Sequence, residues 1–128
     1  MCGISCLLIP AAGTAQTGPK VQGPATLSPG ETVRFRASGF RGGGYLSVVL
    51  LPADRPSCCA YRVPLIFAVS AGGTALLSFR FPAYYNECSG YGAAICRRRP
   101  WKHNERAVVS VSGYLENTTT TTRVVLHR

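Results

Sequence analysis

The residues best placed to do chemistry lie in one basic run, Arg97-Arg98-Arg99-Pro100-Trp101-Lys102-His103. A guanidinium is a planar fork of donors that meets phosphate, sulfate or carboxylate two bonds at a time. An indole can stack on a sugar ring or a base. Arg97, Arg98, Arg99, Trp101 and Lys102 are therefore the anion-binding set to test, with Pro100 stiffening the tip by fixing φ. A plainer account of the same residues is a solvated charged loop, with Trp101 buried as a lid over one end of the fold.

Six cysteines supply the other reactive groups: Cys2 and Cys6 near the start, Cys58, Cys59, Cys88 and Cys96 in the body. Structural zinc takes thiolates from short-spaced knuckles, because both must reach one tetrahedral ion. The adjacent Cys58-Cys59 and the wider-set Cys88 and Cys96 lack that spacing, so no metal site is expected. Disulfides account for them better and place the chain in an oxidising, secreted or extracytoplasmic compartment. Cys88 and Cys96 flank a Gly-bearing loop and are expected to bond. A Cys58–Cys59 bond needs strained backbone, so at least one of these two is expected to stay free or to reach elsewhere.

Catalysis finds little support. The only histidines are His103 and His127, and there is no G-x-S-x-G elbow. Ser57-Cys58 has no identifiable base, and a nucleophile needs one. The five carboxylates, Glu31, Asp54, Glu87, Glu105 and Glu116, form no recognisable acid–base pair. Arg41-Gly42-Gly43-Gly44 lacks the Gly-Lys-Ser/Thr ending of a phosphate loop and reads as a turn. Asn117-Thr118-Thr119 is a formal glycosylation sequon, read as chance. The expectation is a non-catalytic protein without a cofactor.

The elements that carry these residues read as strands. The chain has 128 residues, enough for one domain, and its 14 Gly and 9 Pro leave no long helix-friendly window. Residues 32–38 alternate strictly, Val33, Phe35 and Ala37 against Arg34, Arg36 and Ser38, the period of a half-buried strand. Ser28-Pro29-Gly30-Glu31 before them is turn chemistry. Further strands are expected at 45–51, 74–81, 106–114 and 123–127, with a shorter one at 65–69. Val33, Phe35, Leu77, Phe79, Val109, Val111, Val124 and Leu126 should form the core. Residues 45–51 are apolar on both faces, as in a central strand covered on both sides or one with an apolar outer surface. Residues 83–104 read as a long irregular segment. The class is all-β: an Ig-like antiparallel β-sandwich of about seven strands.

Residues 1–15 resemble the apolar core and small-residue cleavage site of a secretory signal, truncated of its charged start; 16–21 read as a linker and 22–128 as the domain. No stretch is long enough to span a membrane as a helix. The formal charge of +9 favours an anionic partner, an acidic polymer or a cell-surface component.

Two resemblances sharpen this. Pro24-Ala25-Thr26-Leu27-Ser28-Pro29-Gly30-Glu31-Thr32-Val33, then Ala37-Ser38-Gly39-Phe40, resembles the opening of bacterial secreted Ig-like modules. Val69-Ser70-Ala71-Gly72-Gly73-Thr74-Ala75 is similar to their mid-domain hairpin, with Ala71 in place of the usual Asp. That likeness implies export and a binding, adhesion or spacer role. More narrowly, residues 16–128 resemble the neocarzinostatin-type apoproteins, Ig-like carriers of small chromophores, in size, in four cysteines and in the late close-set pair Cys88 and Cys96. The chain departs from them in its positive charge and its adjacent Cys58-Cys59. This second resemblance implies a small-molecule carrier, with an apolar cleft near residues 45–51 and the loop holding Tyr84, Tyr85 and Tyr91. A secreted enzyme is the weakest of the three readings.

Overall fold

The computed structural model describes residues 18–55, 59–89, 95–114 and 117–127. The signal-like segment, Cys2, Cys6, Cys58, Tyr91 and Glu116 lie outside them. Ten strands are described: β1 (Lys20–Gln22), β2 (Thr26–Leu27), β3 (Thr32–Ser38), β4 (Tyr45–Pro52), β5 (Tyr61–Ala68), β6 (Ala75–Arg80), β7 (Tyr84–Ser89), β8 (Ile95–Pro100), β9 (Arg106–Gly113) and β10 (Thr119–Leu126). They form a five-stranded sheet in the order β2-β10-β9-β4-β5, a three-stranded sheet β1-β3-β6, and a separate ribbon β7-β8.

Alternation decides which face each strand buries. In β3 it is Val33, Phe35 and Ala37 that turn inward, and in β6 Ala75, Leu77 and Phe79. The register sets them side by side, Val33 against Phe79 and Phe35 against Leu77. The facing sheet buries Leu46, Val48 and Leu50 of β4, Ala107, Val109 and Val111 of β9, and Val124 and Leu126 of β10. These rows meet in one apolar cluster between the sheets. All eight residues expected in the core are buried there.

The structure departs from the sequence expectations at several points. The described strands number ten rather than about seven, because β1 and β2 are too short for periodicity to reveal. The pairing is not wholly antiparallel, since β2 runs parallel to β10, Val125 opposite Thr26. The irregular segment expected at 83–104 is the β7-β8 ribbon. The last strand begins at Thr119, not 123, because its threonines ladder against β9. Of the two alternatives for β4, the strand with an apolar outer surface is the one observed: Tyr45 is exposed and Ser47, Val49 and Leu51 are partly so. At the front, Lys20 and Val21 already pair with Ser38 and Ala37, ahead of the boundary drawn at residue 22.

Two glycines make turns that other residues resist. Gly30 follows Pro29 with φ of 92°, and the Glu31 N–H closes the turn on the Ser28 carbonyl at 3.2 Å. Gly73 has φ of 84°, and a Cβ there would lie 2.5 Å from the Phe40 carbonyl oxygen. The Phe40 N–H donates to the Gly73 carbonyl and the Gly43 N–H to that of Val69, so two loops lock together at this end. Gly73→Ala should therefore lower unfolding free energy by about 1–3 kcal/mol in urea titrations. Gly72→Ala, where the nearest atom to the new methyl is 3.9 Å away, should stay within about 0.5 kcal/mol of the parent.

Candidate functional site

The basic run is not a loop. Arg97, Arg98 and Arg99 lie in β8, and a strand sends neighbours to opposite faces. Register puts Arg97 opposite Glu87 and Arg99 opposite Tyr85 on one face, with Arg98 opposite Asn86 on the other. The three guanidiniums are exposed but not convergent. Two have partners within the ribbon. Arg99 Nε donates to Glu87 Oε1 at 2.8 Å, and the Arg98 guanidinium lies 5.4 Å from the centre of the Tyr84 ring. Glu87 also pairs with Arg55, just beyond β4, so its carboxylate ties the ribbon to the sandwich. Lys102 is exposed in the turn after β8, where its N–H donates to Glu105 Oε1 at 2.8 Å.

Trp101 offers no face to a ligand: it is fully buried. Its ring packs 4.6 Å from Tyr85 and 5.5 Å from Phe81, and it plugs the junction of ribbon and sandwich. The lid account of this residue is the one that holds, and Trp101 leaves the anion-binding set. The expected Cys88–Cys96 disulfide is present and staples directly opposed positions of β7 and β8. Cys59 is buried and also disulfide-bonded; Cys58 lies outside the described residues. Among the described residues no cluster of His, Cys, Asp or Glu could hold a metal ion, and no helix is long and apolar enough to cross a membrane.

A roomier site lies on the outer face of the five-stranded sheet. β5 is an edge strand, and its pairing with β4 slips: Ser47 faces Ile66, but Val49 faces Arg62. Such a bulge leaves extra residues without ladder partners and bends the strand outward. Pro64, with no N–H to lose, is tolerated at an edge for the same reason. The displaced segment walls a cleft of 680 Å³ lined by Ser47, Arg62, Pro64, Leu65, Ile66 and Tyr114. Leu65 and Ile66 are about half exposed, at 49% and 53%, and adjoin the part-exposed Tyr114, so apolar side chains lie side by side on this surface. The Tyr114 N–H donates to the Tyr45 carbonyl at 2.7 Å, which places both phenols at one end of the five-stranded sheet.

Sequence reasoning found the right strand but the wrong wall. Ser47 belongs to the apolar run expected to line a cleft, yet neither Tyr84 nor Tyr85, named with it, lines this one; Tyr91 lies outside the described residues. Tyr85 is buried in the core, and Tyr84 lines a separate hollow of 260 Å³ with Tyr61, Asn86 and Arg98. Leu65, Ile66 and Tyr114 were missed. The signal for them was the Pro64 within an apolar run, which marks an edge strand whose outer residues have nothing to cover them.

Two measurements check the aromatic plug. Trp101→Ala should cost about 3–5 kcal/mol of stability, read from the melting transition. Burial, helped by the negative charge of Glu105, raises the Tyr85 phenol above its ordinary value. In the unfolded chain Tyr85 then ionises first, near pH 10, so stability must fall as pH rises above that point. Tyr85→Phe should flatten this alkaline decline in a series of melting curves.

No family model matches the sequence, and no curated protein matches it either. Among solved structures the fold is similar to that of macromomycin, a neocarzinostatin-type apoprotein, with a TM-score of 0.60 over 85% of this chain and 99% of that one. At 17% identity the likeness is one of fold. It falls on the narrower of the two resemblances read from the sequence and not on the bacterial Ig-like module.

Proposed function

We propose that the chain is an exported carrier of a small, largely apolar molecule, held in the cleft between β4 and the bulged β5. The cleft carries this reading. Its 680 Å³ lies within the range of roughly 300–1,000 Å³ usual for small-molecule sites. Leu65, Ile66 and the Tyr114 ring supply apolar surface, while the Ser47 hydroxyl and the Arg62 guanidinium supply the few polar groups that fix orientation. Arg62 favours a ligand that presents an acidic or hydrogen-bond-accepting group beside its apolar body. The shared fold with macromomycin and the resemblance to the neocarzinostatin-type carriers support the same class of function. The disulfide between Cys88 and Cys96 supports export, because such bonds persist in oxidising compartments. Carriage needs no catalytic group, in keeping with a sequence that offers none.

The test is a fluorescence titration with a naphthalene dye and with its carboxylate analogue. Both should bind the parent saturably. Leu65→Ser combined with Ile66→Ser should weaken both by about tenfold or more, since each exposed aliphatic loses roughly 1 kcal/mol of apolar contact. Arg62→Gln should erase only the preference for the carboxylate. Equal binding by the parent and the double variant, both with parental melting temperatures, rejects the cleft.

A further inference from the structure

The outer face of the three-stranded sheet is a second surface with its own chemistry. Burying Phe35, Leu77 and Val21 sends Lys20, Arg34, Arg36 and Arg80 outward, and all four are exposed. The other outward positions are Gln22, Thr32, Ser38, Ser78 and Leu76, so this face carries no carboxylate. Among the described residues none of the four cations makes an ion pair. The acid next in sequence, Glu31, is turned back onto the Ser28 N–H.

Register arranges the four in a line. Arg80 stands opposite Thr32, Arg34 and Arg36 follow along β3, and Lys20 stands opposite Ser38. Each two-residue step along the sheet thus presents one cation, and the line crosses obliquely from β6 to β1. Two residues of strand span about 6.8 Å and neighbouring strands lie about 4.8 Å apart, so the line is about 22 Å long with a charge every 7 to 8 Å. That spacing is close to the screening length at physiological salt, about 8 Å, so the four repel one another unless an anion lies across them.

We propose that this face docks a linear acidic polysaccharide, read by Arg80, Arg34, Arg36 and Lys20 in that order. A flat face with a diagonal row of forks suits an extended chain bearing sulfate or carboxylate at regular intervals. Single-stranded nucleic acid is normally held by aromatic platforms, and this face has none. A lipid surface is normally entered by an apolar face, and here Leu76 is the sole apolar residue. The cleft lies on the opposite sheet, so a carried molecule and a polymer can be held together.

Calorimetric titration of the full chain with heparin at several ionic strengths tests this. Arg34→Thr, Arg36→Thr and Arg80→Thr together keep strand-favouring residues and remove three charges. An equal-charge control combines Arg41→Ser, Arg97→Thr and Arg98→Thr. The sheet variant should bind heparin at least tenfold more weakly at about 0.1 M salt, and its slope of log K against log salt should fall by about two to three. The control should lose less than about threefold, and dye binding in the cleft should be unchanged in both. Equal losses in the two variants overturn the proposal. So does tighter binding of single-stranded DNA, or of anionic phospholipid vesicles, than of heparin at matched salt. Should the sheet variant fold poorly, chemical modification of arginines in the parent decides: heparin must protect Arg34 and Arg36, and protection of Arg97 in their place overturns the assignment.

Discussion

Phe79 lies in the core between Phe35, 6.0 Å away on its own sheet, and Phe67 of the opposite sheet, 6.4 Å away. Fixing those three rings inward fixes the parity of the strands that carry them. With Phe35 inside, Arg34 and Arg36 must face solvent. With Phe67 inside, Ile66 must face away from the core and into the cleft. A strand slipped by one residue would exchange every one of these assignments at once. The cleft and the cationic face are thus both by-products of one apolar contact that neither of them touches.

The ribbon depends on the sandwich in a different way. A two-stranded hairpin is marginal by itself in water. Here the Cys88–Cys96 bond closes it, Trp101 and Tyr85 root it beside Phe81, and Glu87 spans from Arg99 to Arg55. The ion pairs are open to solvent on their arginine side and contribute little; the buried rings hold the ribbon in place. Two of the three adjacent arginines, Arg98 and Arg99, are thereby engaged in contacts within the ribbon.

Much of this was legible in the residues, for reasons that can be named. β3 and β6 alternate without exception, so their inward rows follow from period two alone; the bounds of β3 match the expected 32–38, and β6 is one residue shorter at each end than the expected 74–81. Cys88 and Cys96 were paired correctly from their separation. The symmetric placement of those cysteines also implied that their flanks run antiparallel, a signal outweighed by the charge and glycine content of 83–104. β1 and β2 are three and two residues long, below what any periodicity can register. The cleft was hidden because it arises from a slip between β4 and β5, and a slip belongs to a pair of strands, not to either sequence. Trp101 could not be assigned from its basic neighbours, because burial here is decided by Phe81 and Tyr85, both more than ten residues away in sequence.

The bulge at Pro64 also bears on how the molecule behaves at high concentration. Open sheets have margins, and an unbroken margin is a template on which a second copy can add its own strand. β5 forms one margin of the larger sheet, and its proline and slipped register interrupt the row of donors and acceptors that such growth needs. The other margin, β2, is only two residues long. The distortion that opens the cleft therefore also guards the sheet against polymerising with its own kind.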